Sequence, residues 1–145
     1  MAGSSDRRPQ AGVGAAAAIL RDARTIAVVG ASPDPSRASN DVMRYLLGAG
    51  YRCIPVNPRC EQVLGIPAVA SLAELDDPVD LVDVFRRPGF CPGHAEEAVA
   101  AGAGALWLQL GIISAEARRI AAGAGLAYVE NACTKVVHLR ELRGG

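Results

Sequence analysis

The sequence predicts a single α/β domain built on a doubly wound parallel sheet of five strands flanked by helices. The chain has 145 residues, of which 50% are hydrophobic, and a mean hydropathy of +0.20, so its length and composition suit one domain with a buried core. From Thr25 onward, short β-branched runs alternate with longer segments of helical period. That alternation is typical of βαβ units with right-handed crossovers. We find no internal repeat and no interior linker.

Five apolar runs are predicted as strands, at residues 26–30, 51–56, 79–85, 105–110 and 127–129. The first is continuously apolar and stops at Gly30, as expected of a strand that is buried on both faces of a parallel sheet. Pro55 lies near the end of the second run, which indicates an irregular or exposed strand because proline cannot donate to a ladder.

Helices are predicted between these strands from caps and apolar spacing. Ser39 is the predicted N-cap of the first crossover helix, which Gly48 and Gly50 close. The other predicted helical segments are an Ala-rich helix before the first strand, single turns at 62–64 and 72–75, and helices from about Pro92, from Ser114 to about Ala122, and from about Thr134 to Leu142.

The N-terminus allows two interpretations. Arg7 and Arg8 precede an apolar stretch at 11–20, which is the order of charges and apolar residues found in a signal peptide. However, Pro9 follows the arginines and the stretch is rich in Gly and Ala, so we favour a flexible tail at 1–14 and a domain at 15–145. No run approaches the roughly 18 apolar residues of a membrane span.

Charge and cysteine content restrict the partners and the compartment. Fifteen basic and fifteen acidic residues balance, so a general nucleic-acid binder is disfavoured, and 4% aromatic residues are too few for base-stacking platforms. Lys135 is the only lysine, so cationic contacts elsewhere are made by arginine, which suits bidentate phosphate binding. The four cysteines form no C-x-x-C pair, which favours reduced thiols in a cytoplasmic protein.

The loop after the first strand is the first candidate binding segment. A turn of small residues that leads into a helix N-terminus attracts anions. The candidate ligand contacts in it are Gly30, Ala31, Ser32, Ser36, Arg37 and Ser39. Ser32 stands where the second glycine of G-x-G-x-x-G would be, so the usual dinucleotide fingerprint is absent. An ordinary strand-to-helix turn is the alternative.

The second candidate segment follows the second strand and contains Asn57, Pro58 and Arg59. NAD enzymes place a carboxylate in this region to bind the ribose hydroxyls. Arg59 would instead attract a phosphorylated ribose, as in NADP or coenzyme A. The alternative is a solvated surface arginine.

The ends of the third and fourth strands complete the predicted site. Phe85 would wall a pocket and Arg86 would meet phosphate, although a core Phe and a surface arginine are an alternative of comparable weight. Gln109 would donate to a ligand amide, and Gly111 would allow a tight turn. Asp83 lies inside an apolar strand and is expected to hold a backbone amide or an arginine.

No catalytic or metal-binding set is predicted. The segment 30–34 lacks the last glycine of G-x-S-x-G. His94 and His138 are expected to be surface or packed residues, and the preferred interpretation of Cys133 is a small buried thiol, with a position facing the ligand as the alternative.

The sequence resembles the stand-alone coenzyme A-binding domain proteins of bacteria and archaea over roughly residues 19–142. The resemblance is carried by segments that are individually weak and specific in combination. They are 25–32 with Pro35, Arg37 and Ser39; 45–46; 50–51; 54–58; 64–65; 82–87; and 107–111. Departures include Ala38, where a proline is common, and the lead-in to the last helix at 131–133.

The resemblance implies a Rossmann-like fold similar to the coenzyme A-binding domain of the succinyl-coenzyme A synthetase alpha subunit. Coenzyme A would lie across the strand ends, with its phosphates at 32–39, its nucleotide near 57–59, and Phe85, Arg86 and Gln109 lining the pocket. The synthetases' phosphorylated histidine belongs to a further domain that we expect this chain to lack.

The sequence therefore predicts a protein that binds coenzyme A or acyl-coenzyme A without catalysis of its own. One alternative is an NAD(P)-binding oxidoreductase or redox sensor. A second is a non-catalytic subunit of an acyl-coenzyme A synthetase-like complex, which would need a partner chain. Homo-oligomerisation stays open.

Overall fold

A computed structural model describes residues 13–143 of the chain. The predicted tail at 1–14 falls almost entirely outside this range, and so do Arg7 and Arg8 of the signal-peptide-like segment, whereas residues 13–20 of its apolar stretch are described. The first described helix, α1, spans Val13–Asp22. No helix within residues 13–143 is long and apolar enough to cross a membrane.

Five parallel strands form the central sheet, as the sequence predicts. In chain order they are β1 (Thr25–Val29), β2 (Arg52–Val56), β5 (Leu81–Val84), β6 (Ala105–Leu108) and β7 (Ala127–Val129). Their order in the sheet is β2-β1-β5-β6-β7. The chain thus moves outward from β1 to β2, then crosses back to add β5 on the other side of β1.

Helices cover both faces of the sheet, because the strand residues are apolar on both sides. On one face, Ala27, Val29 and Val82 pack with α3 (Cys91–Ala100) and α4 (Ala115–Gly123). Alanines fill much of this helix layer, so α3 and α4 approach each other and the sheet closely.

On the opposite face, Ile26, Val28 and Trp107 pack with α1, α2 (Ala38–Gly48) and α5 (Thr134–His138). The chain continues from α5 into a π-helical turn at Leu139–Arg143. The two helix layers make the sheet doubly wound, which confirms the predicted fold class.

A small hairpin lies between β2 and β5, where the sequence predicts a helical turn at 62–64. Strands β3 (Gln62–Val63) and β4 (Ile66–Pro67) pair in antiparallel register. The turn between them uses Leu64 at φ 52° and Gly65 at φ 79°, the pair of positive φ values that a two-residue hairpin turn requires. The helical-turn prediction is therefore wrong, whereas the turn at 72–75 is present as a 3₁₀ turn at Leu72–Glu74.

Strand β2 is an edge strand, which agrees with the position of Pro55. β1 pairs with one side of β2, and Val69 bridges to Val56 on the other. The Val69 N–H donates to the Pro55 carbonyl at 3.0 Å, and the Asn57 N–H donates to the Val69 carbonyl at 2.9 Å. This segment covers the carboxyl-terminal half of the edge.

Candidate functional site at the carboxyl edge of the sheet

The carboxyl ends of all five parallel strands meet at one edge of the sheet. Strand order reverses between β1 and β5, and in open α/β sheets ligands bind in the crevice at such a point. All thirteen predicted site residues follow four of these strands: β1, β2, β5 and β6. The topology therefore brings the four separate segments to one edge.

Gly30 lies at the centre of this edge. Its N–H donates to the Val56 carbonyl at 3.0 Å, which ties the end of β1 to the end of β2. Its φ is +86°, and a methyl group there would lie 2.9 Å from the Phe85 carbonyl oxygen and 3.0 Å from Cδ of Arg86. Only glycine fits without strain, so the loop after β1 crosses close over the end of β5.

The loop from Ser32 to Arg37 is shaped by its own side chains. Ser32 Oγ accepts from the Asp34 N–H at 3.0 Å, and Asp34 Oδ1 accepts from the Ser36 N–H at 2.9 Å and from the Ser36 hydroxyl at 2.8 Å. The hydrogen bonds from Ser36 lower the pKa of Asp34, and the charge of Arg37 adds to this effect. In this structure the Ser36 hydroxyl is therefore donated to Asp34.

Asp34 is a residue that the sequence reasoning missed. It places an ionised carboxylate inside the segment predicted to hold phosphates, although its Oδ1 is occupied by Ser36. The Asp-Pro-Ser order is a known signal for a side-chain-to-backbone turn, so this arrangement had a sequence signature.

Helix α2 begins two residues before the predicted start. Arg37, in extended conformation, occupies the N-cap position and makes no side-chain cap hydrogen bond. Ser39 is buried within the first turn, so the prediction that Ser39 is the N-cap is wrong. Intrahelical bonding begins with Asn40 and Asp41, whose N–H groups both donate to the Arg37 carbonyl. The amides of Ala38 and Ser39 precede it and have no acceptor within α2.

Asn40 and Asn57 fix the loop after β1 from two sides. Asn40 Nδ2 donates to the Ser32 carbonyl at 2.9 Å, and Asn57 Nδ2 donates to the Ala31 carbonyl at 2.8 Å. Asn57 Oδ1 also accepts from the Arg59 N–H at 2.8 Å. These bonds hold the segment after β2 against the segment after β1. Pro58 and Arg59 are exposed beside them.

Arg86 follows β5, and its side chain extends over the ring of Phe90. Its guanidinium carbon lies 4.2 Å from the centroid of the Phe90 ring, a cation–π contact. Phe85 is half-buried and packs against the hydrophobic cluster on the α2 side of the sheet, as the alternative of a core Phe predicts, and its role as a pocket wall stays a prediction. Phe90, which the sequence reasoning did not select, is 47% exposed.

Gln109 is buried, and its amide nitrogen faces the protein interior. Its Nε2 donates to Asp83 Oδ1 at 2.7 Å and to Thr134 Oγ1 at 2.9 Å. The prediction that Gln109 donates to a ligand amide is therefore wrong, because both of its hydrogens are used within the protein. Asp83 holds neither a backbone amide nor an arginine, since its partners are the side chains of Gln109 and Thr134.

Gly111 makes the turn expected of it. Its φ is +86°, and its N–H donates to Asn131 Oδ1 at 2.8 Å, which joins the segment after β6 to the segment after β7. Asn131 itself has φ 57°. These two residues close the far end of the crevice with backbone that is already hydrogen-bonded.

The remaining chemically active side chains are dispersed. His94 pairs with Glu97 on α3, and His138 Nδ1 lies 2.7 Å from the Tyr45 hydroxyl. Cys133 is half-buried at the start of α5. Within residues 13–143, no group of three or more His, Cys, Asp or Glu side chains is arranged to hold a metal ion.

Two cavities lie away from the predicted site. One of about 550 Å³ is lined by residues from the amino ends of β1 and β2 and by the segment before β5, including Thr25, Arg52 and Asp77. The other, of about 400 Å³, adjoins it between Leu72 and Ala101. None of the predicted site residues lines either cavity.

The residues at the carboxyl edge fit a phosphate-bearing ligand. The close approach at Gly30 leaves no side chain between the β1 loop and the end of β5. Arginines 37, 59 and 86 follow three adjacent strands around this point, and guanidinium groups bind phosphate in bidentate geometry. The crevice can therefore hold a small polyanion without any bulk positive charge on the chain.

Comparison with known proteins shows the family to which the chain belongs. Residues 24–139 match the CoA binding domain family. The chain belongs to this family. It is 42% identical over 120 residues to the uncharacterized protein YneT of Bacillus subtilis, a match that covers 83% of this chain and 89% of that protein.

Solved structures share the fold. A protein of Thermus thermophilus is 43% identical and superposes with a TM-score of 0.84, covering 90% of this chain and 98% of its own. A dinucleotide-forming acetyl-coenzyme A synthetase of Candidatus Korarchaeum cryptofilum is 26% identical, with a TM-score of 0.66. In that comparison 74% of this chain matches 26% of the synthetase chain. The fold thus occurs both in small proteins and as part of a larger enzyme.

Proposed function

We propose that this chain binds coenzyme A, free or acylated, at the carboxyl edge of the sheet and performs no reaction of its own. The observation that carries the proposal is the crevice between β1 and β5, where Gly30 brings two loops together and arginines follow three adjacent strands. Membership in the CoA binding domain family supports the choice of ligand.

In the proposed complex the ligand runs across the sheet. The 3′-phosphoribose lies at Asn57, Pro58 and Arg59 on the β2 side, and the pyrophosphate lies at the β1 loop and the first turn of α2. The proposed β1-loop contacts are Gly30, Ala31, Ser32, Ser36, Arg37 and Ser39. The pantetheine arm then continues over β5 and β6, past Phe85, Arg86, Gln109 and Gly111.

Calorimetry with coenzyme A, dephospho-coenzyme A and NADP(H) tests this proposal. We expect coenzyme A to bind with micromolar or tighter affinity and more tightly than the other two ligands. Absence of coenzyme A binding below millimolar concentration would refute it. Preferential binding of NADP(H) would favour an oxidoreductase or redox sensor instead.

Arg59→Ala tests the position of the 3′-phosphate. Loss of a charge-assisted hydrogen bond is expected to weaken coenzyme A binding by about tenfold, and to leave dephospho-coenzyme A, which lacks that phosphate, nearly unchanged. Arg52→Ala is the matched control, because Arg52 is an exposed arginine at the opposite end of the same strand. Equal losses for both ligands would contradict the placement.

The likeness to a synthetase supports a second candidate function, as a non-catalytic subunit that works with a partner chain. Pull-down from the native host separates the two, since a stable complex with a ligase-like chain is expected only for a subunit. We also propose that the protein is located in the cytoplasm. It is supported by free thiols at Cys53, Cys60, Cys91 and Cys133.

A further inference from the structure

Three buried side chains form a closed ring of hydrogen bonds under the carboxyl edge. Asp83 on β5, Gln109 after β6 and Thr134 at the start of α5 are each at least 96% buried. Gln109 Nε2 donates to Asp83 Oδ1 and to Thr134 Oγ1, and the Thr134 hydroxyl donates to Asp83 Oδ2 at 3.0 Å. The ring links two strands and the last helix.

Counting hydrogens shows which way the Gln109 amide points. An ionised carboxylate only accepts, so the two hydrogens of the Gln109 amide and the one of Thr134 fill the three contacts of the ring. If the amide were turned round, its oxygen would face the carboxylate without a proton between them. The ring therefore fixes Nε2 inward, toward Asp83 and Thr134.

The same count leaves Gln109 Oε1 without a partner. No hydrogen bond within residues 13–143 reaches this oxygen, although the side chain is only 4% exposed. A buried acceptor without a donor costs free energy, so such an atom usually has a function or a bound partner. The oxygen belongs to a residue that directly follows β6 at the edge where the ligand is proposed to bind.

The order of the strands indicates which part of the ligand would reach this oxygen. Neighbouring strands are about 4.8 Å apart, so β6 lies roughly 10 Å from β1 across β5. In the proposed complex the phosphates lie at the β1 loop, and the adenosine side of the ligand would extend toward β2. The pantetheine arm, which contains two amide N–H groups, would then extend toward β6.

We propose that Gln109 Oε1 accepts a hydrogen bond from a pantetheine amide, and that Asp83 and Thr134 are positioning residues that hold the Gln109 amide in the required orientation. This inference rests on the proposed function. It reverses the role of Gln109 expected from the sequence, from donor to acceptor, and it assigns a ligand-directed role to a carboxylate in the middle of an apolar strand.

The protonation state of Asp83 gives the ring a dependence on pH. Burial raises the pKa of Asp83 to about 7, while the hydrogen bonds from Gln109 and Thr134 act in the opposite direction. A protonated Asp83 can donate to Gln109 Oε1, which would turn the amide and remove the acceptor from the ligand. Affinity for the pantetheine arm should therefore fall as pH drops through this range.

Other titratable side chains on this face do not replace Asp83. They are Tyr45, Tyr51, Cys53, Cys60, Cys133, Lys135 and His138. Lys135 pairs with Asp41, and His138 with Tyr45. Cys53 interacts with the charge of Asp83, but burial raises the pKa of its thiol to about 12, so it stays neutral. The strand neighbours Val28 and Trp107 carry no charge.

Calorimetry with coenzyme A and with adenosine 3′,5′-bisphosphate, which lacks the pantetheine arm, tests the inference. Asp83→Asn and Thr134→Val should each weaken coenzyme A binding about three- to tenfold, the worth of one hydrogen bond, and leave the bisphosphate unchanged. Thr134→Ser keeps the hydroxyl and should recover most of the loss. In the wild type, the ratio of the two affinities should fall below about pH 7, whereas in Asp83→Asn it should stay flat.

The outcomes distinguish this inference from the proposed function. If the wild type does not bind coenzyme A, the proposed function fails and this inference fails with it. If the wild type binds and the variants lose neither ligand, or lose both equally, only this inference is overturned.

The substitutions could also lower stability, so a second measurement uses the wild-type protein. It is nitrogen NMR of the Gln109 side-chain amide. We expect two well-separated, slowly exchanging protons whose shifts respond to coenzyme A and not to the bisphosphate. An amide with ordinary shifts that ignores coenzyme A would contradict the assignment.

Discussion

The backbone conformation and close contacts of Gly30 shape the candidate site. Positive φ and close packing act together there, because the Phe85 carbonyl occupies the space that any side chain would need. Gly125 has a similar φ of +81° but open space around it. A side chain at Gly125 would therefore add only backbone strain, whereas a side chain at Gly30 would add both strain and a steric clash.

Gly30→Ala is expected to reduce the free energy of unfolding by about 2–4 kcal/mol, which combines the left-handed strain of about 1–2 kcal/mol with a backbone contact that cannot relax freely. Gly125→Ala should cost only the strain. Urea denaturation of both variants measures the difference, and equal losses would show that the contact with Phe85 is relieved cheaply.

Asp83 is the residue whose ionisation opposes folding. Its pKa rises from an ordinary value near 3.8 to about 7 because of burial, so the folded protein holds a proton that the unfolded chain has already released. Between about pH 4 and 7 the unfolded state therefore binds fewer protons, and stability falls as pH rises through this window. Above the folded pKa the loss is complete.

Asp83→Asn is expected to remove this part of the pH dependence. The asparagine carries no titratable proton, so its unfolding free energy should decline less than that of the wild type between pH 4 and 7. Denaturant midpoints measured across that range decide the matter. Parallel curves for the two proteins would mean that Asp83 is already ionised at low pH in the fold.

At the scale of elements, the helix starts differ in how they are capped. Helix α4 has the predicted cap, because Ser114 Oγ accepts from the Ala117 N–H at 3.1 Å. Helix α2 starts at an exposed arginine without a side-chain cap. Helices α3 and α5 also start without a side-chain cap hydrogen bond. The start of α2 lies at the candidate ligand site, where a bound phosphate would satisfy its free amides.

Ser114→Ala should destabilise the protein by about 1 kcal/mol, the usual worth of an N-cap hydrogen bond. Ser71→Ala is a suitable control, since Ser71 precedes a 3₁₀ turn and makes no side-chain cap bond. Thermal denaturation should show a clear shift for the first variant and little for the second. The reverse order would mean that the cap contributes nothing here.

The hairpin β3–β4 shows the limit of local patterns at this scale. Its strands have two residues each, so neither alternation nor a β-branched run can develop. Leu64 adopts φ 52°, a conformation that leucine rarely takes. The two-residue hairpin turn requires this conformation, and the packing of Val63 and Ile66 against the sheet stabilises the hairpin.

At the scale of the whole molecule, ligand binding and stability are coupled. A ligand that binds only the folded state raises the unfolding free energy in proportion to the logarithm of its concentration relative to Kd. The candidate site joins segments from four strands, so its integrity requires the complete sheet.

Coenzyme A at about 100 times its Kd should therefore add about 2.7 kcal/mol to the unfolding free energy and raise Tm by roughly 5–10 °C. Differential scanning fluorimetry with and without the ligand measures the shift. Gly30→Ala should show a smaller shift at the same concentration. An unchanged Tm for the wild type would argue against coenzyme A as the ligand.

The sequence by itself determined the five parallel strands, the main helices that alternate with them, and the segments whose side chains we propose as phosphate contacts. Apolar runs, glycine stops and the Ser114 cap are local signals, and each acts through neighbours in the chain. Together with the rule that ligands bind at strand carboxyl ends, they were sufficient to select Gly30, Arg59 and Arg86.

Only the tertiary structure decided what Gln109 and Asp83 do. Their partner Thr134 lies 25 and 51 residues away, so no local pattern links the three. A buried polar group must find a partner wherever the fold supplies one, and the fold supplies it from the start of the last helix. The same long-range contacts use both amide hydrogens of Gln109 within the protein and leave Oε1 as the atom that we propose for the ligand.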